Sequence, residues 1–525
     1  MAKLALGLAS LLMPIALTAQ PGVPNVFNPN ETEFQHETHF LAFPGGSGEN
    51  AASATAYYKA INPSGSKTSF PQWLVNAGFI GDASQWHTNG TQNIVTGQPA
   101  GVYGDNVVNA DTHVIVLNAA DLGFVRNQFI RCKPSCSAKN PTIYTYLENY
   151  PVAPFAVGGS NFGSGGDAYP TDAEAAAAMA SAITRPLGVL GGDGASPCNG
   201  SAMCIERIAD VAFEWAPAET NPTSTSRYGQ LYAYVFFHDG SGITETINAT
   251  PPQIGKPIVD YSTKTMSTIV AGDKFPPNLD GLGFKPMPGL CLICHGGAPI
   301  KSLSAGAYPN GGKISGFRFL PIDTANMLFG DGPLSLAAQE PQIKRYNQDV
   351  LMTVSQGAES DGQVKRPPHV AQLIHGWYAP GGNYSDDQSM SGTTQNDAWI
   401  PPGWREAPYG TAPAGSEHLY LEVVGPTCRS CHLNREISLD FGTAANLLSK
   451  KGDVTEYALL PQCKSNHPAA GAKFMPLAHL TFQRYFETQA VSKTLFNGLV
   501  LAFEPDTLAA AFGYGSVQGY CATNP

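Results

Sequence analysis

The chain has 525 residues, a formal net charge of −11 and only 14% charged side chains. It carries no block of clustered Lys and Arg, which excludes nucleic acid as a partner because phosphate binding needs one. A hydrophobic content of 43% excludes wholesale disorder, and 56 Gly and 42 Pro spread along the chain point to a loop-rich protein of two to four domains.

In chain order, residues 1–20 read as an export signal. Lys3 supplies the positive end, LALGLASLLMPIAL the apolar run, and small residues precede a break near Ala19 or Gln20. The run is short and interrupted by Pro14, and no later segment approaches a spanning length, so the mature chain is expected to have no membrane span. The expected location is periplasmic or extracellular, an oxidising compartment. Residues 21–285 read as an α+β domain. THVIVLNA (112–119) and QLYAYVFF (230–237) are predicted strands; TAYYKAINPSG and SFPQWLVNAGF form a helix-and-turn pattern. PTDAEAAAAMASAIT (170–184) is a predicted helix capped by Thr171 or Asp172, with Glu174 in its first turn. From about 286 the texture becomes helical, with helices predicted over 333–354 and 366–378. Residues 380–415 read as a linker or long loop, and three more helical segments follow: SEHLYLEVVGPTCRSCH, ISLDFGTAANLLSKKG and PLAHLTFQRYFETQAVSKTLFNGLVLAF.

The ten cysteines divide into two groups. Four form two copies of one pattern, Cys291-Leu-Ile-Cys294-His295 and Cys428-Arg-Ser-Cys431-His432. C-x-x-C-H is the attachment signal for c-type haem: the thiols add across the vinyl groups as thioethers and the histidine becomes the proximal iron ligand. One helical turn sets both sulfurs along one edge of the porphyrin. From the composition, chance produces the pattern only ~0.004 times in such a chain. A zinc ribbon also uses two C-x-x-C pairs, but the copies here lie 137 residues apart, against roughly 15–20 in a ribbon, and zinc does not explain a histidine after both. A redox dithiol needs a single pair in a βαβ setting. Two haem c groups are therefore expected, held by Cys291, Cys294, Cys428 and Cys431, with His295 and His432 proximal. The other six cysteines suit disulfides. Short loops suggest Cys132–Cys136 and Cys198–Cys204, and Cys463–Cys521 would then staple the C-terminus.

For the sixth iron ligand of the second haem the candidate is Met475, which precedes Pro476 and lies 43 residues beyond His432; His467 and His479 are alternatives. For the first haem the candidates are Met327, Met352, His369 and His375, with His36 or His39 reaching across from the N-terminal domain, or an open position. Met287 is too close to its motif to cross the ring. His369 and His375 lie six residues apart on one predicted helix and do not share a face well.

The order of C-x-x-C-H helix, Met-Pro and C-terminal helix over roughly 415–505 resembles class I cytochrome c. With both motifs and MPLAHLTF, the C-terminal half looks like a dihaem c-type cytochrome. AADLGFVRNQF and LDGLGFKPMPGLCLICHGG look like segments of large bacterial secreted cytochrome c proteins. The architecture expected is α+β: a mixed domain over 21–285, then two mainly α-helical cytochrome c-like haem domains over 286–400 and 401–525. The class I resemblance implies outer-sphere one-electron transfer with a redox partner protein or a small electron donor or acceptor. The rival comes from bacterial dihaem cytochrome c peroxidases and the related rubber oxygenase, in which one haem relays electrons and the other is open to peroxide or dioxygen. There the Met475 haem would be the relay and the His295 haem the reactive one. That reading needs an acid–base carboxylate near the first haem; Asp323 and Glu340 are available, and no catalytic residue is assigned. Roughly 265 mature residues precede the first motif, a departure from the order in those families. A third reading gives the N-terminal domain a docking role.

Overall fold

Runs of β-branched and aromatic residues favour extended backbone, and in the N-terminal half they pair into one antiparallel sheet. The computed structural model describes residues 57–67, 70–82, 102–103, 106–107, 109–118, 124–138, 141–151, 209–216, 229–237, 248–250, 253–256, 288–296, 314, 316–355, 369–379, 390–433, 439–459 and 504–523. In these the protein is α+β, as expected. Helix α1 (Phe70–Ala77) follows a helical turn at 57–61, and a small hairpin joins β1 (Val102–Tyr103) to β2 (Asn106–Val107). The main sheet uses β3 (Thr112–Asn118), β4 (Phe124–Lys133), β5 (Thr142–Pro151), β6 (Ala209–Ala216) and β7 (Gln230–Phe237). A second hairpin pairs β8 (Asn248–Thr250) with β9 (Gln253–Lys256), and α2 (Gly289–His295) carries the first motif. Beyond it, β10 (Met327–Leu328) returns to pair with β3, so the six-stranded order is β10-β3-β4-β5-β6-β7.

Strand alternation gives this sheet two working faces. On one, Phe70 and Trp73 of α1 lie on Tyr146, with ring centroids 5.2 and 6.3 Å apart. On the other, Gln128 donates to the Tyr346 hydroxyl at 2.6 Å, and Phe213 reaches the ring of His295. Tyr346 belongs to α3 (Leu336–Ser355), which packs beside α4 (His369–Trp377). One hydrophobic core runs through the sheet, α1, α2, α3 and α4.

After α4 come α5 (Ser416–Leu419), a nine-residue π-helical stretch (Tyr420–Cys428), and α6 (Arg429–His432) with the second motif. Then follow α7 (Ala444–Ser449), α8 (Lys451–Val454), α9 (Glu504–Ala511) and α10 (Val517–Thr523). A second core gathers Ile400, Trp404, Tyr420, Val423, Phe441, Leu447, Leu459 and Leu508. Among the described residues no helix is long and apolar enough to cross a membrane.

The stretch expected as a linker or long loop is a loop over 390–415 but no free tether. Trp399 and Trp404 are 1% and 0% exposed, and the Trp404 indole donates to the Phe441 carbonyl at 2.9 Å. Trp399 lies so close to Gly376 of α4 that any Cβ there would collide with the indole. Its Gly, Ser, Asp and Gln content suggested a tether, yet two tryptophans, each burying about 150–250 Å², outweigh many small polar residues. The expected Cys132–Cys136 disulfide is present. Cys521 is also disulfide-bonded, to a cysteine outside the described residues. The export signal, the helix over 170–184, Cys198, Cys204, Cys463 and the helix after Met475 lie outside the described residues.

Candidate functional site

Each C-x-x-C-H motif forms a helical turn for a local reason. In α2 the residues between the cysteines, Leu292 and Ile293, are buried in the core, which turns Cys291 and Cys294 outward to a half-buried position. Directly after His295 the helix stops at Gly296, whose φ of 75° favours glycine. In the second motif the π-helical stretch contains Pro426, whose missing N–H removes one rung and accommodates the wider turn. The residue after Cys428 is Arg429, and it is 1% exposed.

The two motifs meet. Helices α2 and α6 pack together, and the Cys294 and Cys431 sulfurs are 3.2 Å apart. None of the four motif cysteines is in a disulfide. Nor do they gather as a metal cluster: among the described residues the only trio of His, Cys, Asp or Glu ligand atoms close enough for an ion is Asp111, Cys132 and Cys136. Those two cysteines are tied in their own disulfide. A four-cysteine zinc site therefore does not fit the motifs, because no three of their sulfurs lie within 4.8 Å of one another, as ligands of one ion would.

Both histidines are held in the same way. The His295 ring Nδ1 donates to the Arg318 carbonyl at 2.8 Å, and the Arg318 amide donates back to the His295 carbonyl at 3.0 Å. The His432 Nδ1 donates to the Leu439 carbonyl at 2.9 Å, while the Phe441 amide donates to the His432 carbonyl at 2.8 Å. A carbonyl only accepts, so Nδ1 carries the proton in each ring, and Nε2 is the nitrogen that a neutral imidazole offers to a metal. Second-sphere carbonyl contacts of this kind orient imidazole ligands to metals. Phe213 and Phe317 flank the His295 ring at 4.8 and 5.9 Å, and Phe441 stacks on His432 at 4.1 Å with an interplanar angle of 3°. Burial pushes His295 down to about 4, against the pull of the Arg318 carbonyl and with help from the Arg126 charge. The imidazole is neutral at pH 7, the form that binds a metal. The donor set thus fits covalently held haem at both motifs.

The sixth-ligand candidates fall in different places. Met327 lies on β10 beside β3, partly buried against the first core, and Met352 is on α3. His369 opens α4 and is engaged by Asp440 at 2.6 Å. His375, on the same helix, has a buried Nδ1 with no hydrogen-bond partner, and burial lowers its pKa. Met475, His467, His479, His36 and His39 lie outside the described residues.

The carboxylates named for acid–base work have structural partners. Asp323 accepts from Arg429 Nε at 2.7 Å and Nη2 at 2.6 Å, from Asn326 Nδ2 at 2.8 Å and from the Ala325 amide at 3.3 Å. Glu340 accepts from the Gln395 amide at 2.7 Å; burial raises its pKa, against the Gln395 amide, Tyr378 and Lys344. Sequence reasoning missed Arg429. Burial opposes its charge, but Asp323 and Tyr420 outweigh that and hold it protonated above its ordinary range. Its guanidinium donates to the Tyr420 hydroxyl at 3.0 Å and lies over the rings of Trp377 and Tyr420 at 5.3 and 5.7 Å. The bidentate pair ties the second motif to the segment whose Arg318 carbonyl orients His295. An arginine inside a C-x-x-C was the one available signal.

No family model, curated protein or solved structure matches the chain. What the site can do rests on its own chemistry. It offers two sulfur pairs and two carbonyl-oriented imidazoles on packed helices.

Proposed function

We propose that the protein is an exported dihaem c-type cytochrome that transfers single electrons, with one haem-binding unit around α2 and a second, cytochrome c-like unit around α6. The observation that carries this reading is the identical second-sphere support of His295 and His432, built from unrelated stretches of chain. Cys291 and Cys294, and likewise Cys428 and Cys431, hold a haem by thioethers, and His295 and His432 present Nε2 as proximal ligands. Bound there, haem c supplies an iron that alternates between ferrous and ferric states. Phe213, Phe317 and Phe441 pack against the imidazoles, and the Arg318 and Leu439 carbonyls would hold the rings in orientation as charge on the ligated group changes. Met475 is proposed as the sixth ligand of the second haem, and His375, His369 and Met327 remain the candidates for the first.

Electron transfer is preferred over peroxidase or oxygenase chemistry because Asp323 and Glu340, the two carboxylates that the sequence offered near the first motif, are engaged by Arg429 and the Gln395 amide. The electron donor and acceptor are a redox partner protein or a small molecule. The test is the mass of the mature chain produced with a haem c attachment system, together with its alkaline pyridine spectrum. Two covalent haems per chain are expected; a chain with neither haem sinks the proposal.

A further inference from the structure

The four motif sulfurs do not meet at random. Cys294 and Cys431 are each the second cysteine of their motif, each directly precedes a proximal histidine, and they are the two sulfurs in contact, at 3.2 Å. Equivalent positions of α2 and α6 face each other, as in a local two-fold contact. The arrangement is braced from outside. Asp323 and Arg429 clamp α6 to the segment before β10, and Asn326 donates both to Asp323 at 2.8 Å and to the Gly425 carbonyl at 2.9 Å in the stretch leading to α6. Arg318, whose carbonyl holds His295, lies in that same segment.

We propose that Cys294 and Cys431 form an electronic junction, joining the two haems of one chain into a directly coupled pair. This rests on the dihaem reading above and adds to it the pairing of the two sites, which separate haem domains on a flexible chain would not have. A thioether sulfur is two bonds from its porphyrin carbon, so Cys294 and Cys431 would hold the edges of any attached rings within about 9 Å of each other. At that separation the strong electronic transitions of the two haems mix, and paired ferric irons interact magnetically. With haem bound at both motifs, Cys294 and Cys431 would hold the two groups as one coupled two-electron store rather than as two independent carriers. The bracing by Asp323 and Arg429 explains why a buried charge pair sits at this place: it holds the junction closed.

The experiment uses the full-length holoprotein with its haem content counted. Circular dichroism is recorded across the Soret band, and low-temperature electron paramagnetic resonance on the ferric form. Two single-site variants, Cys291→Ala/Cys294→Ala and Cys428→Ala/Cys431→Ala, supply the spectra of isolated haems. The expected result is a bisignate Soret couplet in the wild type that is absent from both variants, with ferric signals broadened or diminished relative to their sum. A wild type that holds two haems, but whose spectra equal the sum of the two variants, overturns the junction and leaves the dihaem reading standing. Should a variant fail to fold, the wild type decides alone: its couplet must collapse on half-reduction, and a monosignate band in every redox state overturns the junction. A chain without haem overturns the function and the junction together.

Discussion

The Asp323–Arg429 pair is the sharpest place to test the reasoning. Both side chains are almost fully removed from water, at 3% and 1% exposure, and two charge-assisted bonds of 2.6 and 2.7 Å join them. Asp323→Asn keeps the shape of the side chain but removes its charge and turns an amide NH2 toward a guanidinium that has only donors. Arg429 then keeps one bond to the Asn oxygen, the Tyr420 hydroxyl and the faces of Trp377 and Tyr420, but it loses its second bond and the charge of Asp323. Breaking a buried pair from one side costs about 3–5 kcal/mol. Replacing both partners by apolar residues, Asp323→Leu with Arg429→Met, is neutral or stabilises by about 1–4 kcal/mol, because no orphan charge remains. Lys450 and Asp453 provide an exposed control: they are 3.9 Å apart with side chains 30% and 60% exposed, so Asp453→Asn should cost less than about 1 kcal/mol. The assay is urea unfolding of the purified full-length protein followed by far-ultraviolet circular dichroism, read as a shift of midpoint at unchanged slope. If Asp323→Asn costs no more than the exposed control, the pair does not brace the two motifs.

Two further outcomes follow from the fold around the site. Cys132 and Cys136 lie only 4 positions apart in sequence, so Cys132→Ser with Cys136→Ser should lower stability by about 2 kcal/mol on the chain-entropy account, read from the same urea curves under non-reducing conditions; a loss above ~4 kcal/mol would mean the bridge constrains far more than its own loop. Burial first, and then Asp111, push Asp349 up to about 7 against the opposing Arg345. A carboxyl whose pKa is raised on folding binds more protons in the native state, so its contribution to stability is present at low pH and is lost as pH rises from about 4 to about 7. Asp349→Asn should flatten that part of the stability profile, and a profile of unchanged slope across that window counts against a raised Asp349.

The strands over 112–119 and 230–237 were legible because runs of β-branched and aromatic residues are a local property of the chain, and they form β3 and β7 within a residue of the expected ends, buried almost without interruption because both faces of the sheet are covered. The helices over 333–354 and 366–378 were legible for the same reason at the helical period. Over 380–415 composition left open a linker or a long loop, and the part over 390–415 is a long loop, fastened by the buried Trp399 and Trp404, which composition does not weigh above its small polar residues. That β10, from beyond the first motif, closes the edge of the N-terminal sheet was invisible, since two residues carry no periodicity.

For the site, the sequence by itself determined which thiols lie within one turn and which histidine follows each pair. These depend on spacing along the chain, and a helical turn converts spacing into position without help from anything distant. What only the tertiary structure decided is how the two motifs stand to each other. The contact of Cys294 with Cys431 spans 137 residues, the imidazoles are oriented by the carbonyls of Arg318 and Leu439, and Arg429 finds its counter-charge 106 residues away in Asp323. Long-range contacts are set by how whole faces pack to bury their apolar surface, and no local pattern in the motifs records the partner that packing will bring.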